Sequence, residues 1–242
     1  MSLPRPLIIG HRGAAGEAPE NTLASFELAL KQGAEGIELD VHLSKDGEIV
    51  VCHDPTLDRT TNGSGWIFEA VYADIRKLDA GSWFDERYTG QYVPTLGEVL
   101  DIVPDHILIN VEIKHSYEGR MEKAVLELLR SRGRFHNVVI SSFDHKCMLR
   151  LKREEPLAAI GLLYAANLGS HAGYARSLNA DILSLHPQHQ LIGADDVAEA
   201  RAAGLRTYPY TANSEADLKR LIDAGVSGII TDYPARLAAL LK

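Results

Sequence analysis

Two carboxylates share one face of a predicted strand that begins at Gly36. Because side chains alternate along a β-strand, Glu38 and Asp40 point to one side while Ile37 and Leu39 point to the other. An acidic face backed by an aliphatic one is unusual for an exposed strand. It suits a strand whose oily side packs against helices and whose acidic side faces a shared, wet pocket, where carboxylates could hold a cation.

The same sorting recurs in residues 109–114. Glu112 and Lys114 lie on one side of this predicted strand, and aliphatic residues lie on the other. Two neighbouring strands with charged inward faces are hard to explain by core packing, since unpaired charges are rarely buried. The two strands therefore indicate one shared polar site.

Three carboxylates in one pocket repel each other unless something neutralises them. A hard divalent cation would do so for Glu38, Asp40 and Glu112, and oxygen ligands without cysteine favour Mg²⁺ or Ca²⁺. The alternative is a salt-bridge network of these acids with Arg12 and Lys114. The strand pattern alone does not separate the two interpretations.

A hairpin is expected to bring a histidine to the acids. Asp46-Gly47 is typical of a two-residue hairpin loop, and that loop would pair Asp40 with His53 and Val41 with Cys52. Directly opposed residues share a face, so His53 would project beside the acids and Cys52 would be buried. A longer loop would shift this register.

Basic residues at the strand ends suggest phosphate chemistry. Arg12 can fork around a phosphate, and Lys114 offers a compact point charge. His11, at the end of the first strand, and His53 are then candidates for a general acid–base pair on either side of the reacting group. The other histidines, His42 among them, show no such convergence and are expected to be ordinary polar residues.

Strands and helices must alternate to position these residues. Eight strands, with the hairpin's return arm as an excursion, predict a (β/α)₈ barrel, in which functional residues lie at the carboxyl ends of the strands. The runner-up, an open doubly wound sheet, lacks a Gly-x-Gly-x-x-Gly motif after the first strand. Strands are expected at 7–10, from 36, at 107–111, 138–141, 159–163, 182–185, 205–208 and 228–231. Helices are expected from 23 and 95, and at 121–130, 146–154, 172–178, 195–203, 215–224 and 234–240.

Residues 54 to about 94 interrupt this alternation. They are rich in loop signals yet carry many large apolar side chains, so they are expected to be an insertion packed over the barrel mouth and not a free tether. The whole chain, 1–242, is therefore predicted to be a single domain.

Composition narrows the partners. A net charge of −8 and a pI near 5.7 argue against nucleic acid. Two cysteines, Cys52 and Cys147, fit a reducing compartment, and no signal peptide or membrane anchor is recognisable, so a cytoplasmic protein is expected. The choice between monomer and homodimer stays open.

An ordered set of motifs completes the pattern. They are His11-Arg12-Gly13, Pro19-Glu20-Asn21-Thr22, Glu38-Leu39-Asp40-Val41, His53-Asp54, Asp79-Ala80-Gly81-Ser82-Trp83, Pro94-Thr95-Leu96, Glu112-Ile113-Lys114, Ser141-Ser142-Phe143, Tyr210-Thr211-Ala212-Asn213 and Thr231-Asp232-Tyr233-Pro234. Together they resemble the glycerophosphodiester phosphodiesterase family from the first strand to the eighth. Any single tripeptide is weak evidence, whereas the ordered set is specific.

The resemblance implies a (β/α)₈ barrel with an insertion after strand two, and hydrolysis of glycerophosphodiesters to glycerol 3-phosphate and an alcohol. It implies one divalent cation, Ca²⁺ or Mg²⁺, as cofactor. The residues it assigns are Glu38, Asp40 and Glu112 to the metal, His11 and His53 to acid–base work through a cyclic phosphate, and Arg12 and Lys114 to the phosphate. Trp83, Phe84 and Tyr210 are candidates for the substrate pocket, or equally for plain core aromatics.

Three other functions were weighed. A related enzyme would cleave lysophospholipids in the manner of a lysophospholipase D, although no basic amphipathic helix is evident. A barrel isomerase or lyase would spread its metal ligands over more strands, whereas two lie on one strand here. A phosphate-binding module without activity would lack a histidine or an acid of the set, and all are present.

Overall fold

Eight parallel strands form the barrel predicted from the sequence. The computed structural model describes residues 5–242. Neighbouring strands follow the order β8-β7-β6-β5-β4-β2-β1-β9. β3 lies outside this order: it pairs with β2, and its Val50 makes a single bridge to Thr95. The strands are β1 (Leu7–His11), β2 (Gly36–Leu43), β3 (Ile49–Val51), β4 (Leu108–Ile113), β5 (Val138–Ser142), β6 (Ala159–Tyr164), β7 (Ser184–Pro187), β8 (Arg206–Thr207) and β9 (Gly228–Thr231).

The barrel closes between β8 and β9 through single hydrogen bonds instead of a continuous ladder. Ser227 N donates to Thr207 O (3.0 Å), and Ile230 N donates to Pro209 O (3.1 Å). Pro209 has no N–H to give, so the chain beyond β8 cannot pair as a regular strand there. We call this joint the seam.

Helices follow the strands around the outside. They are α1 (Leu23–Lys31), α2 (Tyr72–Ile75), α3 (Leu96–Ile102), α4 (Arg120–Arg132), α5 (His145–Glu154), α6 (His171–Ser177), α7 (Ala194–Ala202), α8 (Glu215–Ala224) and α9 (Pro234–Leu240). Thr22 caps α1 and Thr95 caps α3 with Glu98 in a capping box, as their side-chain chemistry predicts. The short α2 within the insertion was not predicted.

Aliphatic strand faces bind the helices to the barrel. Every residue of β2 is buried, and Ile37, Leu39 and Val41 belong to the main apolar cluster under the helices. Burying each such side chain contributes roughly 1.5–3 kcal/mol. The opposite faces of the strands point into the barrel, where polar side chains including Asn110, Ser141 and Ser184 are buried. The sorting of faces read from the sequence is thus confirmed.

The hairpin register inferred from Asp46-Gly47 is wrong by one residue. Val41 pairs with Val51 and Leu43 with Ile49, so Cys52, not His53, lies opposite Asp40. The loop holds three residues between Ser44 and Glu48, whose backbones are hydrogen-bonded (3.0 Å). Gly47 takes a positive φ of 89° in this loop, which glycine adopts without steric cost. Asp-Gly supports this longer loop as well as the shorter one, and the sequence does not choose between them.

The insertion has an apolar cluster of its own. Leu57, Ile67, Ile75 and Val93 pack with Val50 and Cys52 on the return arm of the hairpin. Cys52 is buried, as predicted, because this cluster covers it. The insertion is therefore built onto the hairpin that leaves β2.

Polar contacts also tie the insertion to the loop after β1. Tyr88 Oη donates to the Glu17 carbonyl (3.0 Å), and Arg59 bonds Glu20. Separately, no helix among residues 5–242 has the length and apolar character needed to cross a bilayer.

Candidate active site

Three buried carboxylates meet at the carboxyl ends of β2 and β4. Asp40 and Glu112 are neighbours in the parallel register of the two strands, and Glu38 lies two residues before Asp40 on the same face. One carboxylate oxygen of each residue lies within 4.8 Å of the others. The exposed fraction is only 3% for Glu38, 1% for Asp40 and 8% for Glu112. The structure thus brings together the three acids that the sequence singled out.

Burial and mutual repulsion disturb the protonation of these acids. Burial, followed by the charges of Asp40 and Glu112, raises the pKa of Glu38 well above its usual value. Burial and the charge of Asp40 likewise raise the pKa of Glu112 to about 7. Burial also opposes ionisation of Asp40, but Arg12 and Lys114 outweigh it and hold the pKa of Asp40 at about 2. Arg12 and Lys114 therefore offset only part of the negative charge that full ionisation of the three acids would create.

The donor set fits a hard divalent cation. All three groups offer carboxylate oxygens and no thiolate, which matches the preference of Ca²⁺ and Mg²⁺. Asp40 Oδ1 is buried and has no hydrogen-bond donor among the described residues. A buried carboxylate oxygen without a donor is costly unless a cation contacts it. Glu38, Asp40 and Glu112 are the residues that could hold this ion.

Arg12 and Lys114 line the same pocket from two sides. Arg12 adopts a positive φ of 50°; its backbone N–H donates to Glu38 Oε2 (3.0 Å), and its guanidinium contacts Asp40 (Nε to Oδ2, 3.3 Å). Lys114 Nζ donates to Glu112 Oε1 (2.6 Å) and lies 3.5 Å from Asp40 Oδ1. The alternative salt-bridge network therefore exists, and it leaves Asp40 Oδ1 with the charge of Lys114 at 3.5 Å but without a hydrogen-bond donor among the described residues.

His11 is held by an acid from the far end of the chain. Its Nδ1 donates to Asp232 Oδ1 (2.6 Å), while its Nε2 lies 4.0 Å from Glu38 Oε2. Asn213 fixes Asp232 in turn: its side-chain amide donates to Asp232 Oδ2 (2.5 Å), and its side-chain oxygen accepts from the Asp232 backbone N–H (2.9 Å). Asp232 and Asn213 were part of the quoted motifs but had no predicted role. Their place just after β9 and β8 was the available signal.

His53 has the same arrangement with a different acid. Its Nδ1 donates to Asp54 Oδ1 (2.7 Å), and Arg59 clamps Asp54 through Nε (2.7 Å). The same guanidinium donates to both oxygens of Glu20 (2.8 Å each), and Glu20 accepts from Arg12 (2.7 Å). One arginine of the insertion thus joins the acid beside His53 to the acid beside Arg12. Arg59 was not among the predicted site residues.

His42 supports the main chain of His53. Burial lowers the pKa of His42 to about 4, so the ring is neutral at pH 7. Its Nε2 faces the His53 carbonyl (3.2 Å) and must donate, so Nδ1 accepts from Tyr117 Oη (2.8 Å). His42 is buried and does more than an ordinary polar histidine, because it fixes the loop that carries His53.

Asn21 completes the support of the acids. It adopts a positive φ of 58°, which asparagine tolerates better than most residues. Its side-chain amide donates to Asp40 Oδ2 (2.8 Å). The Pro-Glu-Asn-Thr motif thus serves the acids as well as capping α1.

The three aromatic candidates lie in two places. Trp83 and Phe84 stack edge-to-face in the insertion, and Trp83 donates to the Ala80 carbonyl (2.9 Å). Tyr210 packs against Phe143 across the mouth, where the charge of Glu112 contributes, after burial, to raising the pKa of Tyr210 to about 12. A cleft beside His53 and Lys114 is lined by other aromatic residues, Trp66, Phe68 and Tyr117.

Comparison with known proteins connects this geometry to a family. The sequence model of the Glycerophosphoryl diester phosphodiesterase family matches residues 11–236. A glycerophosphodiester phosphodiesterase from Caldanaerobacter subterraneus is 40% identical over 242 residues, covering 98% of each chain.

Two solved structures have the same fold. A putative glycerophosphoryl diester phosphodiesterase from Silicibacter pomeroyi superposes with a TM-score of 0.90 at 29% identity, covering 99% of this chain and 94% of that one. A phosphodiesterase from Oleispira antarctica in complex with the product sn-glycerol-3-phosphate gives 0.87 at 32% identity, covering 98% and 96%. The chain therefore belongs to the glycerophosphoryl diester phosphodiesterase family.

Proposed function

We propose that this chain hydrolyses glycerophosphodiesters, such as glycerophosphocholine and glycerophosphoethanolamine, to sn-glycerol 3-phosphate and an alcohol. Family membership and the product bound to the Oleispira relative support this substrate class. The single observation that carries the mechanism is the matched pair of histidines. His11 and His53 each give Nδ1 to a carboxylate, which leaves Nε2 for the substrate.

The two basic residues bind the phosphate in this proposal. Arg12 and Lys114 contact the buried acids, and their side chains are partly exposed. A phosphodiester bound beside the acids can therefore reach both of them. Their positive charges also stabilise the negative charge that grows on the phosphoryl oxygens during reaction. Holding the diester here orients the glycerol 2-hydroxyl towards one histidine.

Two steps account for the products. In the first, one histidine takes the proton of the glycerol 2-hydroxyl, its oxygen forms a bond to phosphorus, and the P–O bond to the alcohol breaks. The other histidine gives that alcohol its proton. In the second, the histidine that gave up its proton takes one from water, whose oxygen bonds to phosphorus while the P–O bond to the glycerol 2-oxygen breaks. The other histidine returns its proton to that oxygen, which restores both. Asp54 and Asp232 stabilise whichever ring is positively charged.

We assign one divalent cation, Ca²⁺ or Mg²⁺, to Glu38, Asp40 and Glu112. When bound, it would supply Lewis acidity to an oxygen of the substrate. The fit rests on the three carboxylates, whose oxygens lie within 4.8 Å of one another, and on Asp40 Oδ1, which accepts no hydrogen bond from the described residues. It also rests on the raised pKa of Glu38, since a buried acid near other acids ionises readily only beside a cation.

We further propose that the chain is one domain, with residues 54–94 folded over the barrel mouth. The bonds from Arg59 and Tyr88 to the loop after β1 support this organisation. A cytoplasmic location is consistent with Cys52 and Cys147 being free and buried.

One assay tests the activity. Release of glycerol 3-phosphate is measured with a coupled enzyme from several glycerophosphodiesters, after treatment with chelator and after addition of Ca²⁺ or Mg²⁺. We expect release that chelator abolishes and one of the two ions restores. Release of lysophosphatidic acid from lysophosphatidylcholine in place of this activity would favour the lysophospholipase D alternative. Full turnover without any metal would contradict the assigned ion.

A further inference from the structure

A cleft of about 600 Å³ opens beside His53 and Lys114. Its walls come from two separate parts of the chain, the insertion and the loop between β4 and α4. We call it the aromatic cleft and define it by Trp66 and Phe68 from the insertion and His115, Tyr117 and Glu118 from the loop. Since His53 and Lys114 line both this cleft and the candidate active site, a diester bound at the acids can extend one half into it.

The walls expose an unusual amount of aromatic surface. Trp66 is 48% exposed and Phe68 is 44% exposed, and their rings lie 5.6 Å apart. His115 and Tyr117 form a second pair with centroids 4.6 Å apart. Apolar, aromatic walls next to a few polar groups are typical of small-molecule sites, and contiguous exposed apolar surface marks contact with a ligand.

The loop that carries Tyr117 is held in a costly conformation. Tyr117, Glu118 and Gly119 follow one another with positive φ values of 49°, 59° and 88°. A non-glycine residue in this region is strained, and such strain concentrates at ligand sites. Tyr117 is nevertheless fixed, because its hydroxyl donates to His42 (2.8 Å). The second aromatic wall is therefore a built feature of the mouth.

The charged residues around the aromatic cleft balance each other in number, so its aromatic faces decide which ligand it prefers. Lys114 is turned towards Glu112, and Asp54 is bound to Arg59, so these charges are largely offset by their partners. Arg120 also lines the cleft and keeps its positive charge there, since its Nε donates to the neutral Tyr117 carbonyl (3.3 Å). Glu118 makes no ion pair with any residue from 5 to 242, and its carboxylate remains available at the cleft. Aromatic faces attract cations, and quaternary ammonium groups in particular.

We propose that the aromatic cleft binds the trimethylammonium group of choline, and so selects glycerophosphocholine among glycerophosphodiesters. This inference rests on the proposed function and extends it to the alcohol half of the substrate. The methyl groups bury apolar surface against Trp66 and Phe68, while the positive charge meets the ring faces and Glu118. An uncharged polar alcohol of similar size gains neither contribution.

The test compares kcat/KM for three diesters: glycerophosphocholine, glycerophosphoglycerol, and the 3,3-dimethylbutyl ester, in which a carbon replaces the choline nitrogen. Variants are Trp66→Ala, Trp66→Phe and Phe68→Ala. Val71→Ala is the control, since Val71 is an exposed apolar residue of the insertion that does not line the cleft. Far-ultraviolet circular dichroism checks that each variant is folded.

We expect the wild type to prefer glycerophosphocholine over both other esters. Trp66→Ala and Phe68→Ala should each lower kcat/KM for glycerophosphocholine about tenfold and leave glycerophosphoglycerol within about twofold. Trp66→Phe should retain most of the preference because a ring remains, and Val71→Ala should retain all of it.

Three results would overturn the proposal. Equal kcat/KM for the choline and dimethylbutyl esters would show that apolar contact alone matters. An unchanged preference in Trp66→Ala and Phe68→Ala would place choline elsewhere. Loss of activity in those variants on lysophosphatidylcholine alone would assign the cleft to an acyl chain. If no diester releases glycerol 3-phosphate in the wild type, the proposed function itself fails, which is a distinct outcome.

Discussion

The two halves of the barrel mouth differ in how they treat charge. At the ends of β1, β2, β4 and β9, acids lie beside basic residues and histidines, and the insertion packs against the hairpin that leaves β2. Across the barrel, β5 to β7 present Ser141, Gly161, Ser184 and His186 to the interior. His186 is fully buried, and burial lowers its pKa to about 3, so that its ring is neutral.

The difference shows that one barrel can bury polar groups in two ways, as paired ionised side chains on some strands and as neutral side chains on others. The charged half keeps its ionised groups by pairing them and by leaving room for a cation. The neutral half avoids ionisation altogether. Substitutions in the first half should therefore change activity most, while those in the second should change stability and its dependence on pH.

The largest effect should come from the histidines of the charged half. We expect His11→Ala and His53→Ala each to lower kcat for glycerophosphocholine by about 10²–10⁴, the usual contribution of a general acid or base. Unfolding in urea should change little, since both side chains are only partly buried. Near-normal turnover in either variant would contradict the acid–base assignment. The measurement is steady-state release of glycerol 3-phosphate.

Next in size should be the effect of Arg59. Arg59→Ala frees Asp54 and Glu20 together, so we expect kcat to fall about 10- to 100-fold with little change in KM. Arg59→Lys should recover only part of this, because an ammonium cannot fork between two carboxylates. Arg87→Ala is the matched control, being an exposed arginine of the insertion that pairs only with Asp85 among the described residues. An equal loss in the control would point to damage of the insertion as a whole.

Glu38→Gln should have a smaller effect, and it should increase the free energy of unfolding. In chelator at pH 8 this variant should be more stable than the wild type by about 1–2 kcal/mol, because it removes a buried, repelled negative charge. The raised pKa of Glu38 means that the folded state holds its proton more tightly than the unfolded state. Wild-type stability is therefore lost as the pH rises through that raised value, and the advantage of glutamine grows with pH.

Urea unfolding at several pH values measures this prediction. Activity should be lost in Glu38→Gln, and added Ca²⁺ or Mg²⁺ should stabilise the variant less than the wild type. A destabilised variant in chelator would mean that the acids are satisfied by their basic neighbours alone.

The smallest effect at pH 7 and above should appear in the neutral half, where a loss of stability develops only in acid. In the unfolded chain His186 takes up a proton below about pH 6.5, whereas the folded ring stays neutral down to about pH 3. The unfolded state thus binds more protons in this window, and stability falls as the pH drops through it, by up to about 1.4 kcal/mol per pH unit. His186→Gln should reduce this slope without changing activity at pH 8. His136→Gln, at an exposed histidine, serves as the surface control.

Local patterns in the sequence account for much of this site. Alternation along β2 and β4 placed Glu38, Asp40 and Glu112 on inward faces, and the parallel register then brought them together. The strand-end rule for barrels explains why His11 and Arg12 join them. These inferences succeeded because each depends on spacing within one strand or on the order of neighbouring strands.

The rest depends on contacts between distant segments. Asp232 reaches His11 across 221 positions, and Arg59 reaches Glu20 across 39, so no local period marks either pair. The hairpin register failed for a different reason. Asp-Gly permits two loop lengths that differ by one residue, and only the packing of Val50 and Cys52 under the insertion selects between them.

Residues of the charged half connect the two sides of the seam. Regular strand pairing is interrupted where β8 and β9 meet. Asn213, beyond β8, nevertheless donates a hydrogen bond to Asp232, beyond β9, and Asp232 accepts one from His11 on β1. The hydrogen-bonded series Asn213, Asp232 and His11 therefore spans the seam. Because Ser227 N and Ile230 N donate the hydrogen bonds across the seam, amide exchange at these two residues measures how often the seam opens next to the residues that hold His11.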